Sequence, residues 1–355
     1  MRTITALAAS VAATMALVAP TPEQLVLPAP TGPHPVGWTQ LHLVDRSRLD
    51  PWVPTGPREL MVSLWYPAEG GRGEPVPYAT AEESRLLLEL YGITGVPEDS
   101  LTRVRTHARA GVAALRGHRP LIVLSPGLVF PRWTLTALAE DLASRGYVVA
   151  GVDHTYEAAA VTFPDGHVAE CVVCVGNWSG EAITASRALD ISFVLDRLLA
   201  RYGRMIDPQR IAVVGHSIGG AAAATTMLAD SRVVAGANLD GSFRPALTQD
   251  LSRPFLLVSA EDRVPGTRPD WDQTWTHLTG WRRWLNVPGM GHTSASDAAV
   301  ITEWLGLPGP PLPGARIVEI VRTYVAAFVD QHLRGRHQPL LGAPSPRFPE
   351  VHFGG

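Results

Sequence analysis

The chain has 355 residues, 46% of them hydrophobic, with a formal net charge of −3 and two cysteines. That length and apolar content suffice for one large buried core or two ordinary ones, and no linker or compositional shift divides the middle. With no long basic block, there is no electrostatic case for nucleic acid or an anionic membrane surface as a partner.

Met1-Arg2-Thr3 followed by small and apolar residues from Ile4 to Ala19 reads as a secretory signal over residues 1–19, with Ala16 and Ala19 as alternative cleavage points and an uncleaved tail as the competing reading. Ser10, Thr14 and Pro20 interrupt the run, which argues against a membrane-spanning helix. Residues 20–36 are proline-rich and are expected to form an extended leader, and residues 37–355 are expected to form one catalytic unit. Export would let Cys171 and Cys174 pair, which at this spacing needs a turn or helical turn; a local disulfide or two free thiols fits better than redox or zinc chemistry.

Trp38 to Leu43 and Glu59 to Tyr66 show partial alternation and predict two early antiparallel strands. Residues 67–118 carry Gly, Pro and charge, and read as an insertion that is either a surface excursion or the border of a site entrance. From Pro120 the pattern changes. Leu121-Ile122-Val123-Leu124 and Tyr147 to Val152 are buried strands flanking a helix with Leu135, Leu138, Ala139 and Leu142 on one face. A longer helix follows from about Ser179 to Tyr202, then strands at Ile211, Val233 to Leu239, Phe255 to Val258 and Trp281 to Val287, and a last amphipathic helix around Ile317, Ile320, Val321 and Tyr324. Such alternation predicts an α/β fold with a mostly parallel sheet covered by helices on both faces, and reactive groups collected at the strand carboxyl ends.

Those ends hold the chemistry. Gly215-His216-Ser217-Ile218-Gly219-Gly220 follows the apolar run Ile211 to Val214 and precedes four alanines. A strand that enters a helix through glycine, serine and glycine is the nucleophile elbow of α/β-hydrolases, and it puts Ser217 forward as nucleophile. Serine needs a base, and His292 follows the final strand in the chain position that a hydrolase base takes, whereas His154, His216 and His277 stand elsewhere in chain order. The base in turn needs a carboxylate, and both Asp240 and Asp262 close strands after the nucleophile. Residue reasoning alone leaves the two open.

Gly215 to Gly220, Asn238-Leu239-Asp240-Gly241 and Gly291 to Asp297, together with Leu124-Ser125-Pro126-Gly127-Leu128 and Asp141 to Ala150, resemble the platelet-activating factor acetylhydrolase family, over roughly residues 60 to 335. The resemblance implies Asp240 as the acid, with Asp262 the alternative, and an oxyanion hole made of the Leu128 and Ile218 backbone N–H groups. It also implies an acyl-enzyme route with no metal and no organic cofactor, acting on short or oxidised sn-2 acyl esters of phospholipids. Two positions depart from the family's pattern: Pro126 replaces a histidine before the oxyanion residue, and Ser242 stands where an aromatic is expected. The other readings are a broad carboxylesterase, lipase or polyester hydrolase, and a non-catalytic binding protein on a hydrolase scaffold. A secreted enzyme touching lipid surfaces at most transiently is the expected setting, and the oligomeric state is not legible.

Overall fold

A computed structural model describes residues 24–261 and 263–354. The signal expected over residues 1–19 lies outside the described residues. In chain order the elements are β1 (Val36–Leu49), β2 (Pro57–Pro67), β3 (Glu74–Pro77), α1 (Ala81–Leu90), β4 (Arg105–Ala110), β5 (Arg119–Ser125), α2 (Thr136–Ser144), β6 (Val148–Asp153), β7 (Ala160–Thr162), β8 (Val168–Glu170) and α3 (Gly180–Tyr202). They continue as β9 (Ile206–His216), α4 (Ile218–Ala229), β10 (Val233–Leu239), β11 (Phe255–Ala260), α5 (Pro269–His277), β12 (Arg282–Val287), α6 (Ala298–Trp304), α7 (Gly314–Arg334) and β13 (His352–Phe353).

One sheet of eleven strands runs β13-β12-β11-β10-β9-β5-β6-β2-β1-β4-β3, and β7 and β8 form a separate hairpin. The six strands from β12 to β6 are mutually parallel, as the buried apolar runs predict. The early pair β1 and β2 is antiparallel, with Trp38 opposite Trp65 and Leu43 opposite Leu60. Side chains alternate across the sheet. Ile122 and Leu124 of β5 join a core with α2 and α7, while Leu121 and Val123 join a second core with Ile191, Val194 and Leu195 of α3 and Ala223 and Met227 of α4.

The helix ends follow local chemistry. Ser179 caps α3 by accepting from the Ala182 N–H at 3.1 Å, and Thr80 and Glu83 form a reciprocal capping box at α1. The start of α2 has no cap from its own sequence, so Asp297 supplies one from the far end of the chain, accepting from the Thr136 and Ala137 N–H groups at 3.0 and 3.1 Å. The leader is pinned where it is described: Leu27 is 1% exposed, and the Thr31 N–H donates to Asp141 at 2.8 Å. Cys171 and Cys174 form a disulfide. Trp271 and Trp284 are core, and Trp178 is exposed and packs edge-on against Trp52. Among the described residues, no helix is long and apolar enough to cross a membrane.

The insertion contributes β3, α1 and β4. Leu87 of its helix and Tyr91 just beyond the helix line an apolar cavity of about 120 Å³ with Phe130, Ile301 and Thr293. It therefore borders the neighbourhood of His292.

Candidate active site

Ser217 occupies the single position between β9 and α4, with φ 54° and ψ −129°. A non-glycine residue in that region is strained, and such strain persists only where the surroundings enforce it. Here they do. A Cβ on Gly215 would sit 2.0 Å from the Gly219 backbone, and one on Gly219 would sit 2.0 Å from the Ser125 carbonyl oxygen. Only glycine permits this crossing of helix over strand, and the Ser217 N–H is fixed by donating to the Leu239 carbonyl at 2.9 Å.

His292 begins a short 3₁₀ turn (His292–Ala295) just beyond β12. Its Nε2 lies 2.9 Å from Ser217 Oγ, and its Nδ1 lies 2.6 Å from Asp240 Oδ2. An ionised carboxylate only accepts, so Nδ1 carries the proton and Nε2 keeps the lone pair that faces the serine. Asp240 is buried at the end of β10 with φ 58°, and its Oδ1 accepts from the Ala260 N–H at 2.7 Å. The strained turn is closed by Asn238, whose side chain accepts from the Gly241 N–H at 2.6 Å and donates to the Gly241 carbonyl at 2.9 Å. Residue reasoning left Asp240 and Asp262 open, and the family resemblance implied Asp240. Asp240 is hydrogen-bonded to His292, and Asp262 lies outside the described residues.

Sequence reasoning missed Arg263, a buried guanidinium that ion-pairs with Asp240 Oδ2 at 2.6 Å and also donates to the Asp240 carbonyl. Nothing in the residue pattern marks it, because it follows a strand end without a motif of its own.

The two residues expected to supply oxyanion donors flank the serine. A Cβ on Gly127 would lie 3.2 Å from Ser217 Cβ, so the loop carrying Leu128 passes close against Ser217. Among the described residues the Leu128 N–H has no acceptor, and Ile218 is the first residue of α4, where N–H groups have no partner within the helix. Both side chains join an apolar cluster with Trp52, Val173, Ile183 and Cys171.

The rival histidines stand apart from Ser217 Oγ. His277, in α5, pairs with Asp250 at 2.9 Å. His216 Nε2 donates to the His292 carbonyl at 2.8 Å, leaving a buried Nδ1 without a partner among the described residues. Burial, with His292 nearby, pushes its pKa down to about 4. His154 Nε2 lies 2.9 Å from Ser125 Oγ, and His154 Nδ1 lies 2.8 Å from Asp190 Oδ2. That is a second serine-histidine-aspartate chain, wholly buried, whose members no residue spacing connects. Burial and Arg187 keep His154 below its usual pKa. Burial alone would raise the Asp190 carboxyl, but Arg58 and His154 hold it well below the usual range. His154, Asp190 and the neighbouring Glu157 have the residue types and proximity of a metal site, yet Arg58 and Arg187 are already ion-paired with the two carboxylates.

A strained serine at a strand-to-helix turn, on the carboxyl edge of a mostly parallel sheet covered on both faces, places the chain among the α/β-hydrolases. The family model for platelet-activating factor acetylhydrolase, isoform II, matches residues 21–170. A probable 1-alkyl-2-acetylglycerophosphocholine esterase of Arthroderma benhamiae is 29% identical, over 95% of this chain and 96% of its own. The chain is similar to the platelet-activating factor acetylhydrolase family and is an ester hydrolase. The platelet-activating factor acetylhydrolase of Cavia porcellus is 27% identical over 66% of this chain and 60% of its own length. Among solved structures, a ferulic acid esterase from Streptomyces cinnamoneus superposes with a TM-score of 0.85 at 44% identity, covering 93% of this chain and 99% of the other.

Proposed function

We propose that the protein is a serine esterase working through an acyl-enzyme, with Ser217 as nucleophile, His292 as general base and then acid, and Asp240 as the carboxylate that holds the imidazole. The observation that carries this reading is the continuous relay of 2.9 Å from Ser217 Oγ to His292 Nε2 and 2.6 Å from His292 Nδ1 to Asp240. As Oγ attacks the ester carbonyl carbon, its proton passes to Nε2, and the N–H groups of Leu128 and Ile218 receive the oxyanion. Collapse expels the alcohol with the proton from His292. Water then repeats the sequence on the acyl-serine and releases the acid.

The substrate is a short sn-2 acyl ester of a phospholipid, a reading supported by the family and by the Arthroderma relative's name. The apolar cavity beside Thr293, of about 120 Å³, offers space for a short chain or a single ring, comparable with cavities of about 150 Å³ that hold benzene. A second reading, hydrolysis of a hydroxycinnamoyl ester, is favoured by the 44% identity to the ferulic acid esterase. The protein acts after export, with residues 1–19 as its signal and residues 37–355 as one catalytic unit, meeting lipid surfaces only transiently.

Comparing kcat/KM for a 1-alkyl-2-acetyl phosphocholine lipid, methyl ferulate, a p-nitrophenyl short-chain ester and a triglyceride tests this. The first reading expects the acetyl phospholipid to lead, and preference for methyl ferulate installs the second. Stoichiometric labelling of Ser217 by a fluorophosphonate is expected, and its absence would leave a binding protein on a hydrolase scaffold.

A further inference from the structure

We propose that Arg187 and Glu157 are positioning residues that hold the loop between β5 and Arg132 so that the Leu128 N–H faces Ser217. This rests on the reading of Leu128 as an oxyanion donor. The two residues meet far from the reacting atoms in sequence, yet both reach the loop's backbone. Arg187, on α3 and 1% exposed, donates to the Pro126 carbonyl and pairs through Nε with Glu157 Oε2 at 2.6 Å. The Glu157 main-chain carbonyl accepts from the Val129 N–H at 2.9 Å. One residue thus steadies Arg187 with its side chain and Val129 with its backbone.

The consequence for Leu128 follows from peptide planarity. The Gly127 carbonyl accepts from the Phe130 N–H at 3.2 Å, and in a trans peptide the Leu128 N–H points the opposite way. Val129 is held on both sides, since its own carbonyl accepts from the Ala159 N–H at 2.7 Å. Its φ of 76° is a conformation that a β-branched residue does not keep unless its neighbours impose it. With the Pro126 carbonyl, Gly127 carbonyl and both polar groups of Val129 engaged, the Leu128 N–H is left without an acceptor among the described residues.

The clamp is itself anchored. Glu157 Oε1 accepts from the Trp52 indole N–H at 3.0 Å, and Arg58 joins Glu157 to Asp190, which closes the buried chain through His154 to Ser125. Ser125 Oγ lies 3.4 Å from Arg187 Nη1, at the foot of the same loop. The buried serine, histidine and aspartate therefore belong to the support of the oxyanion loop. Only a planar fork can reach Glu157 and the Pro126 carbonyl together; a lysine ammonium keeps the charge and loses the double reach.

The test compares Arg187→Lys, and the charge-neutral pair Arg187→Met with Glu157→Gln, against the parent enzyme. Active sites are counted with a fluorophosphonate, so unfolded molecules drop out of the rate. Per titrated site, kcat on a short p-nitrophenyl ester is expected to fall about 10- to 100-fold with KM nearly unchanged, since one weakened oxyanion donor costs transition-state rather than ground-state binding. Affinity for a trifluoromethyl ketone, whose adduct with serine is tetrahedral, is expected to fall by the same factor. An unchanged per-site kcat, or a fall in kcat that the ketone affinity does not share, overturns the proposal. If Ser217→Ala is inactive while the Arg187 variants are normal, only this inference fails; an active Ser217→Ala removes the catalytic reading beneath it.

Discussion

Two serine-histidine-aspartate chains lie in this molecule, joined by similar hydrogen bonds. Ser217, His292 and Asp240 span 2.9 and 2.6 Å, and Ser125, His154 and Asp190 span 2.9 and 2.8 Å. The first ends on a strained turn with a half-exposed imidazole; the second begins inside β5, and every member is buried. Asp190 is further committed to Arg58 and Arg48, so its charge is spent on guanidinium groups. The constellation alone does not make a nucleophile. Reactivity needs a hydroxyl that substrate can reach, a donor pair beside it and a base whose free lone pair points at it.

The largest expected difference between the two chains is in turnover. Ser217→Ala should lower kcat by about 10⁴ to 10⁶, whereas Ser125→Ala, which only loosens the support of the loop, should lower it by less than about 10-fold; steady-state rates measure both. Next is the acid. Asp240→Asn should cost about 10⁴ in kcat by spoiling the imidazole tautomer, while Asp262→Asn costs far less, and a reversal would move the acid to Asp262.

The buried chain should respond in stability instead. Asp190→Asn leaves Arg58 with one fewer ionised partner in the interior, and urea unfolding is expected to show a loss of about 3–5 kcal/mol, with per-site turnover falling less than in the Arg187 variants. The smallest effect lies at the seam between the chains, where His216 stacks on Phe130 and abuts His292. Its pKa is pushed from 6.5 down to about 4 in the fold, so the unfolded chain binds the proton more tightly. The stability it contributes is complete above pH 6.5 and drains away as pH falls through 4, to a total of about 3 kcal/mol. Urea midpoints across that window should fall for the parent and flatten for His216→Gln.

What could be read from the chain was local. The elbow, β10 at Val233–Leu239 and helix α3 are each written in a contiguous run of residues, so periodicity and turn chemistry found them. His292 followed from chain order. Asp240 followed only from the family resemblance, because two aspartates stand alike after neighbouring strands and the residue pattern alone does not separate them. The support beneath the oxyanion loop was invisible for a different reason. Arg58 and Asp190 are 132 positions apart, and Arg187 and Pro126 are 61 apart, so no spacing rule connects them. In the insertion, helix α1 showed only as a short apolar cluster, since just one of its faces packs inward.

The short strand β13 pairs with Leu285 and Asn286 of β12, and the Gly354 N–H donates to the Trp284 carbonyl at 2.8 Å. β12 is the last parallel strand and leads directly into His292, so without this cover its outer row of amides and carbonyls would be open to another molecule's backbone. The tail thereby guards against self-association along the flank that delivers the imidazole, and intermolecular strand pairing there would compromise solubility and the relay together.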